Sequence, residues 1–525
     1  MFLTSRSFRR AAIILTPGLL LLLGCAVGPD FERPPPPDIK TYESTPLPEK
    51  TETIPSQEGG AAQTFAPNED IPAEWWALFH SEPLNQLIKL SLKTNPDIDA
   101  ASAALRQAHE NMKAGEGPLY PSVDAGINVQ REKLSGIAFG SSNAIPPFTL
   151  YNASVSVSYG LDIFGGTRRQ VEALVAAEDY QRWELEAARL SLTANVVTTA
   201  IQEASLRGQI AATQKIIDDE KKQFDVLNQQ FQLGAIAKPA VLAQATTLAQ
   251  TRALLPPLEK QLAQTRHQLS ALAGQFPSQE PQATFELANL QLPEKLPVSL
   301  PSKLVEQRPD VRAAEATLHA ASAEIGVATA NMLPQIPLTG DIGSDAATLA
   351  GLFTPGTGIW SLAAGLTQPI FHGGTLLHQK RASEAAYDEA AAQYRKTVLA
   401  AFQNVADSLH ALKSDAEALK AQAEAEHAAA DSLKLSEQQY KDGAISYLTL
   451  LTAEQAEQQT KLALIQSEAL RFADTAALFT ALGGGWWNRV DTDAEKDDGK
   501  APPVTAVNFN QNKDGDQSAS AGGDR

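Results

Sequence analysis

The chain repeats itself. Asn95-Pro96-Asp97-Ile98 recurs as Arg308-Pro309-Asp310-Val311, and Tyr120-Pro121 as Leu333-Pro334. Ile163-Phe164-Gly165-Gly166 is echoed by Ile370-Phe371-His372-Gly373-Gly374, and Leu233-Gly234-Ala235-Ile236 by Asp442-Gly443-Ala444-Ile445. Four matches in the same order, each about 210 residues apart, identify a tandem duplication. Length alone would suggest three or four domains for 525 residues. The repeat replaces that expectation with two copies of one unit, placed at 71–285 and 286–490.

Hydrophobic periodicity changes in the same order inside each copy. A helical stretch at 82–116 leads into alternation, with Val123, Ala125, Ile127 and Val129 set against Asp124, Gly126, Asn128 and Gln130. A Gly/Ser/Pro-rich loop follows, then a second alternation in which Val155, Val157, Tyr159 and Leu161 oppose Ser154, Ser156, Ser158 and Asp162. Period two on both sides of a turn-rich loop predicts a β-hairpin at 121–162. The second copy gives a hairpin at 335–368, carried by Ile336, Leu338 and Ile342, then Trp360, Leu362, Ala364 and Leu366.

After each hairpin the pattern turns helical for more than sixty residues. Leu190, Ala194, Val197, Ile201, Ala204, Gly208 and Ala211 fall at alternating spacings of four and three, and Leu409, Leu412, Ala416, Leu419 and Ala423 do likewise. Such heptads predict coiled-coil-like packing, with small residues allowing close approach. A rod of this length is on the order of 100 Å. The shorter helices, at 82–116 and 240–273, sum to a similar length, and Pro256-Pro257 is expected to kink the second of them.

The N-terminus supplies the context. Arg6, Arg9 and Arg10 precede an apolar run ending in Leu22-Leu23-Gly24-Cys25. The run is too short to span a bilayer and has the layout of a secretory signal, 1–24. The quartet resembles a lipobox, which makes Cys25 the acylated N-terminus of the mature chain. Cys25 is also the only cysteine, so an intramolecular disulfide and a multi-cysteine metal site are excluded. Residues 25–70, with Pro34-Pro35-Pro36-Pro37, read as an extended lipidated tether. Residues 491–525 carry eight acidic and four basic residues among small polar ones and read as a disordered acidic tail. Net charge is −18, which argues against nucleic acid as a partner.

No stretch of the mature chain is an apolar helical span, so any membrane embedding must use strands. Four strands do not close a barrel, because bacterial outer-membrane barrels start at eight. A membrane reading therefore requires an oligomer. Two chains give eight strands and three give twelve, and strand counting does not choose between them.

The order of motifs across both copies is similar to that of the TolC-like outer-membrane factor family, and among them the NodT-type efflux lipoproteins. The resemblance rests on Cys25-Ala26-Val27-Gly28-Pro29-Asp30-Phe31, and on Trp75-Trp76-Ala77-Leu78-Phe79 with Leu84 and Leu87. It rests also on the 161–169 and 368–374 junctions, and on Tyr440, Gly443 and Tyr447-Leu448-Thr449-Leu450-Leu451. It implies a mainly α protomer with membrane β. Three copies would form a twelve-stranded barrel in the outer membrane above a helical tunnel through the periplasm.

By the same resemblance the chain is an exit duct without chemistry or cofactor, apart from the lipid on Cys25. Its partners are a periplasmic adaptor and an inner-membrane transporter, commonly of the RND type. Gly234-Ala235-Ile236 and Gly443-Ala444-Ile445 correspond to the tips that meet the adaptor. Leu448 corresponds to a ring that narrows the resting pore, with Tyr447 nearby. Thr452 stands where the family often has an aspartate, so an acidic ring is not implied.

Three other readings compete: a type I protein-secretion duct, a non-channel periplasmic coiled coil, and an enzyme. The lipobox disfavours the first, and the hairpins disfavour the second. The scattered histidines, with no Gly-x-Ser-x-Gly or His-Glu-x-x-His, disfavour the third. His372 and His378 lack carboxylate or cysteine partners in sequence for a metal role. Trp75-Trp76 and Trp486-Trp487 are expected to pack in an equatorial belt. Arg168 and Arg169 are expected to meet lipid headgroups, a neighbouring acid or solvent.

Overall fold

The computed structural model describes residues 26–67, 69–135, 137, 146–279 and 283–489. Contacts divide the chain into Met1–Asn488 and Arg489–Arg525, and every helix and strand named below belongs to the first unit. The signal segment, Cys25 and the acidic tail 491–525 lie outside the described residues.

Proline in the first turn opens five of the helices named below. The order β1 (Thr64–Pro67), α1 (Glu82–Thr94), α2 (Pro96–Glu116), β2 (Ser122–Glu132), β3 (Phe148–Leu161), α3 (Gly166–Gln232), α4 (Lys238–Leu272) is followed by the same order again. The second series is β4 (Lys295–Val298), α5 (Pro301–Gln307), α6 (Pro309–Ala330), β5 (Ile336–Ala346), β6 (Gly358–Ala364), α7 (Thr375–Lys441), α8 (Tyr447–Ala481). The helix expected over 82–116 is thus two helices. Pro96 forces Asn95 out of the α region to φ −74, ψ 125. Its side chain then accepts the Asp97 N–H at 2.8 Å as an N-cap. Arg308 repeats the break before Pro309, with its guanidinium on the Asp310 carboxylate at 2.7 Å and the Ala481 carbonyl at 3.0 Å.

The duplicated helices match in length. α3 and α7 have 67 residues each, and α4 and α8 have 35 each. These are about 100 and about 50 Å long at 1.5 Å per residue. α4 runs on through Pro256 and Pro257, both on its exposed side.

The junction between strand and long helix explains the Gly-Gly motif. Gly165 has φ +75 and turns the chain, and the Asp162 carboxylate accepts the Thr167 and Arg168 N–H groups, each at 3.0 Å. Both arginines find acids. Arg168 Nε lies 3.2 Å from Asp162, and the buried Arg169 donates to Asp30 at 2.6 Å and Glu172 at 2.7 Å.

The two hairpins join in one antiparallel sheet of order β2-β3-β5-β6. Its register puts like with like. Val123↔Val157, Ala125↔Val155, Val155↔Ile342, Ile342↔Trp360 and Gly340↔Leu362 share one face. Ser122↔Ser158, Asn152↔Asp345 and Asp341↔Ser361 share the other, where all three pairs are hydrogen-bonded, at 2.8, 2.8 and 3.1 Å. The apolar face is bare, with Trp360 and Leu362 79% and 81% exposed. β2 and β6 are edges without a partner strand among the described residues.

Below the sheet the core gathers at a belt. Trp75 stacks on Phe479 at 5.5 Å and meets Trp76 and Phe79 edge-on. α3 adds Val196, Val197 and Ala200, and α7 adds Val405, Leu409 and Leu412. The heptad positions Leu409, Leu412, Ala416 and Leu419 are all 0% exposed. Trp486 packs on Trp183 and donates to the Gln307 carbonyl at 2.7 Å.

Residues 26–67 are fastened along the body rather than free. The Val27 N–H donates to the Phe164 carbonyl at 2.9 Å, Phe31 stacks on His319, and Tyr42 donates to the Ser299 carbonyl at 3.0 Å. β1 pairs in parallel with β4. Apolar side chains spaced along an extended polar segment make this possible, since such a backbone needs only intermittent anchors.

Candidate gate and docking tips

Both long helices end in the same reversal. At the first tip the Gly234 N–H donates to the Phe231 carbonyl at 2.9 Å and the Ala235 N–H to Gln230 at 2.8 Å. At the second, Gly443 donates to Tyr440 at 3.0 Å and Ala444 to Gln439 at 2.8 Å. This paired pattern needs a left-handed residue at its turn, and Gly234 and Gly443 supply it at φ +76 and +72. A Cβ on either glycine would meet nothing, so backbone conformation alone asks for glycine there. Ala235 and Ala444 are exposed, and Ile236 and Ile445 half-buried. α4 then starts after Ala237, and α8 after Ser446, whose hydroxyl accepts the Thr449 N–H at 3.3 Å.

The tips pack on one another through a small apolar cluster of Leu227, Val241, Tyr447, Leu450 and Leu451. Tyr440 meets Tyr447 edge-on at 5.6 Å. Beside the cluster runs a polar seam that the sequence did not reveal. The Tyr447 hydroxyl donates to Gln244 Oε1, Gln244 Nε2 donates to the Glu220 carbonyl at 3.0 Å, and Thr251 donates to the Glu220 carboxylate at 2.8 Å. Burial pushes Glu220 above the usual carboxylate range. Burial also pushes Glu454 up to about 7, aided by Glu220 and Glu437 and opposed by a hydrogen bond from Gln223. A carboxylate in a helical wall has no sequence mark that distinguishes burial from exposure, so these residues were invisible.

The three residues expected at the constriction part company. Tyr447 is only 9% exposed and turned into the seam, whereas Leu448 is 68% exposed. Thr452 is exposed one turn later and its hydroxyl donates back to the Leu448 carbonyl at 3.0 Å. A groove of about 710 Å³ opens between the tips, walled by Lys222, Val226 and Ile236 on one side and Glu437, Tyr440 and Lys441 on the other. Cys25 adjoins Ala26, which lies against Gly165 at the foot of the strands. Among the described residues no group of His, Cys, Asp or Glu is arranged to hold a metal, and no helix is long and apolar enough to cross a membrane.

A family model described as outer membrane efflux protein matches residues 87–275 and 300–484. The pyoverdine export outer membrane protein OpmQ of Pseudomonas putida is 31% identical over 84% of this chain and 94% of its own. The probable outer membrane lipoprotein SilC of Salmonella typhimurium is 29% identical over 89% of this chain and 97% of its own. The solved structure of the outer-membrane channel OprN superposes with a TM-score of 0.78 at 26% identity, covering 88% of this chain and all of that one.

Proposed function

The chain belongs to the outer membrane efflux protein family, and on that premise we propose that it is the outer-membrane exit duct of a tripartite efflux pump. Three copies close a twelve-stranded barrel, and their long helices continue it as a tunnel into the periplasm. The observation that carries this is the open sheet: apolar on one face, polar on the other, with β2 and β6 both unpaired among the described residues. Open edges are not stable in lipid. Neighbouring copies can satisfy both edges, lipid can cover the apolar face, and the face of Asp124, Asn152, Ser156 and Asp341 then lines a watery lumen.

Cys25 carries the lipid anchor. The description of SilC as an outer membrane lipoprotein agrees with this. The tips Gly234-Ala235-Ile236 and Gly443-Ala444-Ile445 meet a periplasmic adaptor, with the groove between them as a seat for its helices, and an RND-type transporter completes the pump. The duct supplies a path and no chemistry. Leu448 narrows the resting aperture, Thr452 adds a neutral rim, and Tyr447 holds the turn in place through Gln244 rather than lining the path.

Deletion followed by susceptibility testing over antibiotics, dyes, detergents, metal salts and aromatic acids tests the function. Tolerance to at least one class is expected to fall and to return with a restored copy. Unchanged tolerance to every class contradicts the reading. The Leu448 assignment has its own test in planar bilayers. Leu448→Ala is expected to raise single-channel conductance severalfold, and unchanged conductance removes Leu448 from the constriction.

A further inference from the structure

One face of α8 is fitted to a segment of the N-terminal strap. Glu468, Arg471, Phe472 and Thr475 fall at helical spacing on that face, and each holds a part of residues 51–63. Arg471, 0% exposed, donates through Nη2 to Thr51 Oγ1 and to the Ala61 carbonyl, both at 2.8 Å. Gln63, equally buried, donates its backbone N–H to Thr51 Oγ1 at 2.9 Å and its side-chain amide to Thr475 Oγ1 at 3.1 Å. Gly59, at φ +67, lies against the Phe472 ring, where a Cβ would stand a tight 3.1 Å from the ring. The Glu468 carboxylate lies beside Glu58, and Ile54 packs with Leu419 and Leu464.

The charges in this seat are poorly balanced. Glu468 faces Glu58 from the strap and Glu426 from α7. Asp415 of α7 stands against Asp474 of α8, and Arg471 is the cation that opposes Asp415. Nε and Nη1 of Arg471 and Oδ2 of Asp415 are buried without partners. The remaining pair nearby, Glu52 with Lys420 at 3.4 Å, sits exposed at the rim.

We propose that residues 51–63 are a proton-controlled latch, seated on the 468–475 face of α8 while Glu468 and Asp415 are protonated and loosened as they ionise. An ionised Glu468 would stand against two other carboxylates in a dry seat. An ionised Asp415 would stand against Asp474 with one guanidinium to offset both. The geometry thus ties the membrane-anchored end of the chain to the helix that begins at Tyr447.

The sign follows from the proton count. Release uncovers Glu468 and removes the neighbouring Glu58, which lowers it toward the ordinary carboxylate range, and it frees Arg471 from Thr51 and Ala61 to turn to Asp415. Seated, burial and neighbouring acids raise Glu468 and Asp415 to about 7 each. The latched state therefore holds extra protons between the ordinary range and about 7. Its attachment is strongest below that window, declines as pH rises through it, and is weakest above it.

Hydrogen–deuterium exchange of the mature protein extracted in detergent tests this at about pH 5.5 and about pH 8, corrected for intrinsic exchange and referenced to α3. Protection of 51–63 is expected to fall about tenfold at the higher pH. Glu468→Gln with Asp415→Asn should remove the fall, and Arg471→Met should strip protection at both pH values. Equal wild-type protection at the two pH values overturns the proposal without any variant. A double variant that falls as wild type does, or intact protection in Arg471→Met, overturns it as well.

Discussion

Replacing Val155 by arginine is expected to abolish assembly in the outer membrane, while Ser156→Arg, one residue away, is tolerated. Val155 lies at the centre of the apolar face, paired with Ala125 on one side and Ile342 on the other. Arginine on the lipid face of a barrel costs about 2–4 kcal/mol near the bilayer midplane. In a closed assembly of several copies that cost recurs in each, a sum of the same order as the stability a protein holds in reserve. Ser156 projects to the polar face opposite Asp124 and Asp341, where a cation meets carboxylates and water. Sucrose-gradient fractionation with detergent extraction reads the outcome. Two variants that behave alike would show that the two faces are not lipid and lumen.

The second large effect lies at the belt. Trp75→Ala is expected to destabilise the protein by about 3–5 kcal/mol, the usual cost of emptying a large aromatic site. Trp75 is 0% exposed, stacked on Phe479 and in edge contact with Trp76 and Phe79. These neighbours come from a short 3₁₀ turn and from α8, two segments far apart in sequence, so the site cannot collapse by a local shift. Chemical unfolding in detergent, followed by tryptophan emission, measures it. A loss under about 1 kcal/mol would mean that the belt is not the core that joins the repeats.

The large features were legible because their signals are periodic or repeated. The duplication, the alternation at Val123–Val129 and Val155–Leu161, and the glycines that end α3 and α7 each follow from a rule of spacing or backbone. What escaped depends on three-dimensional neighbours. The break at Asn95 is marked by Pro96, yet helical periodicity on both sides bridges it. The strap reads as an extended tether because its composition is polar, and its anchoring by Phe31, Tyr42, Ile54 and Gln63 carries no pattern in sequence. The seam of Tyr447, Gln244 and Glu220 joins residues from both repeats, and no local pattern announces it. Sequence leaves Arg168 and Arg169 to lipid, acid or solvent, and the structure puts them on Asp162, Asp30 and Glu172.

The central claim is that this sheet is one third of a closed barrel. Native mass spectrometry of the protein extracted from outer membranes, released from detergent micelles, tests it most directly. A closed barrel predicts a dominant species of three chains that persists until the detergent is stripped and the β-sheet is lost. A dominant species of one chain or two, with the sheet still folded, would contradict it.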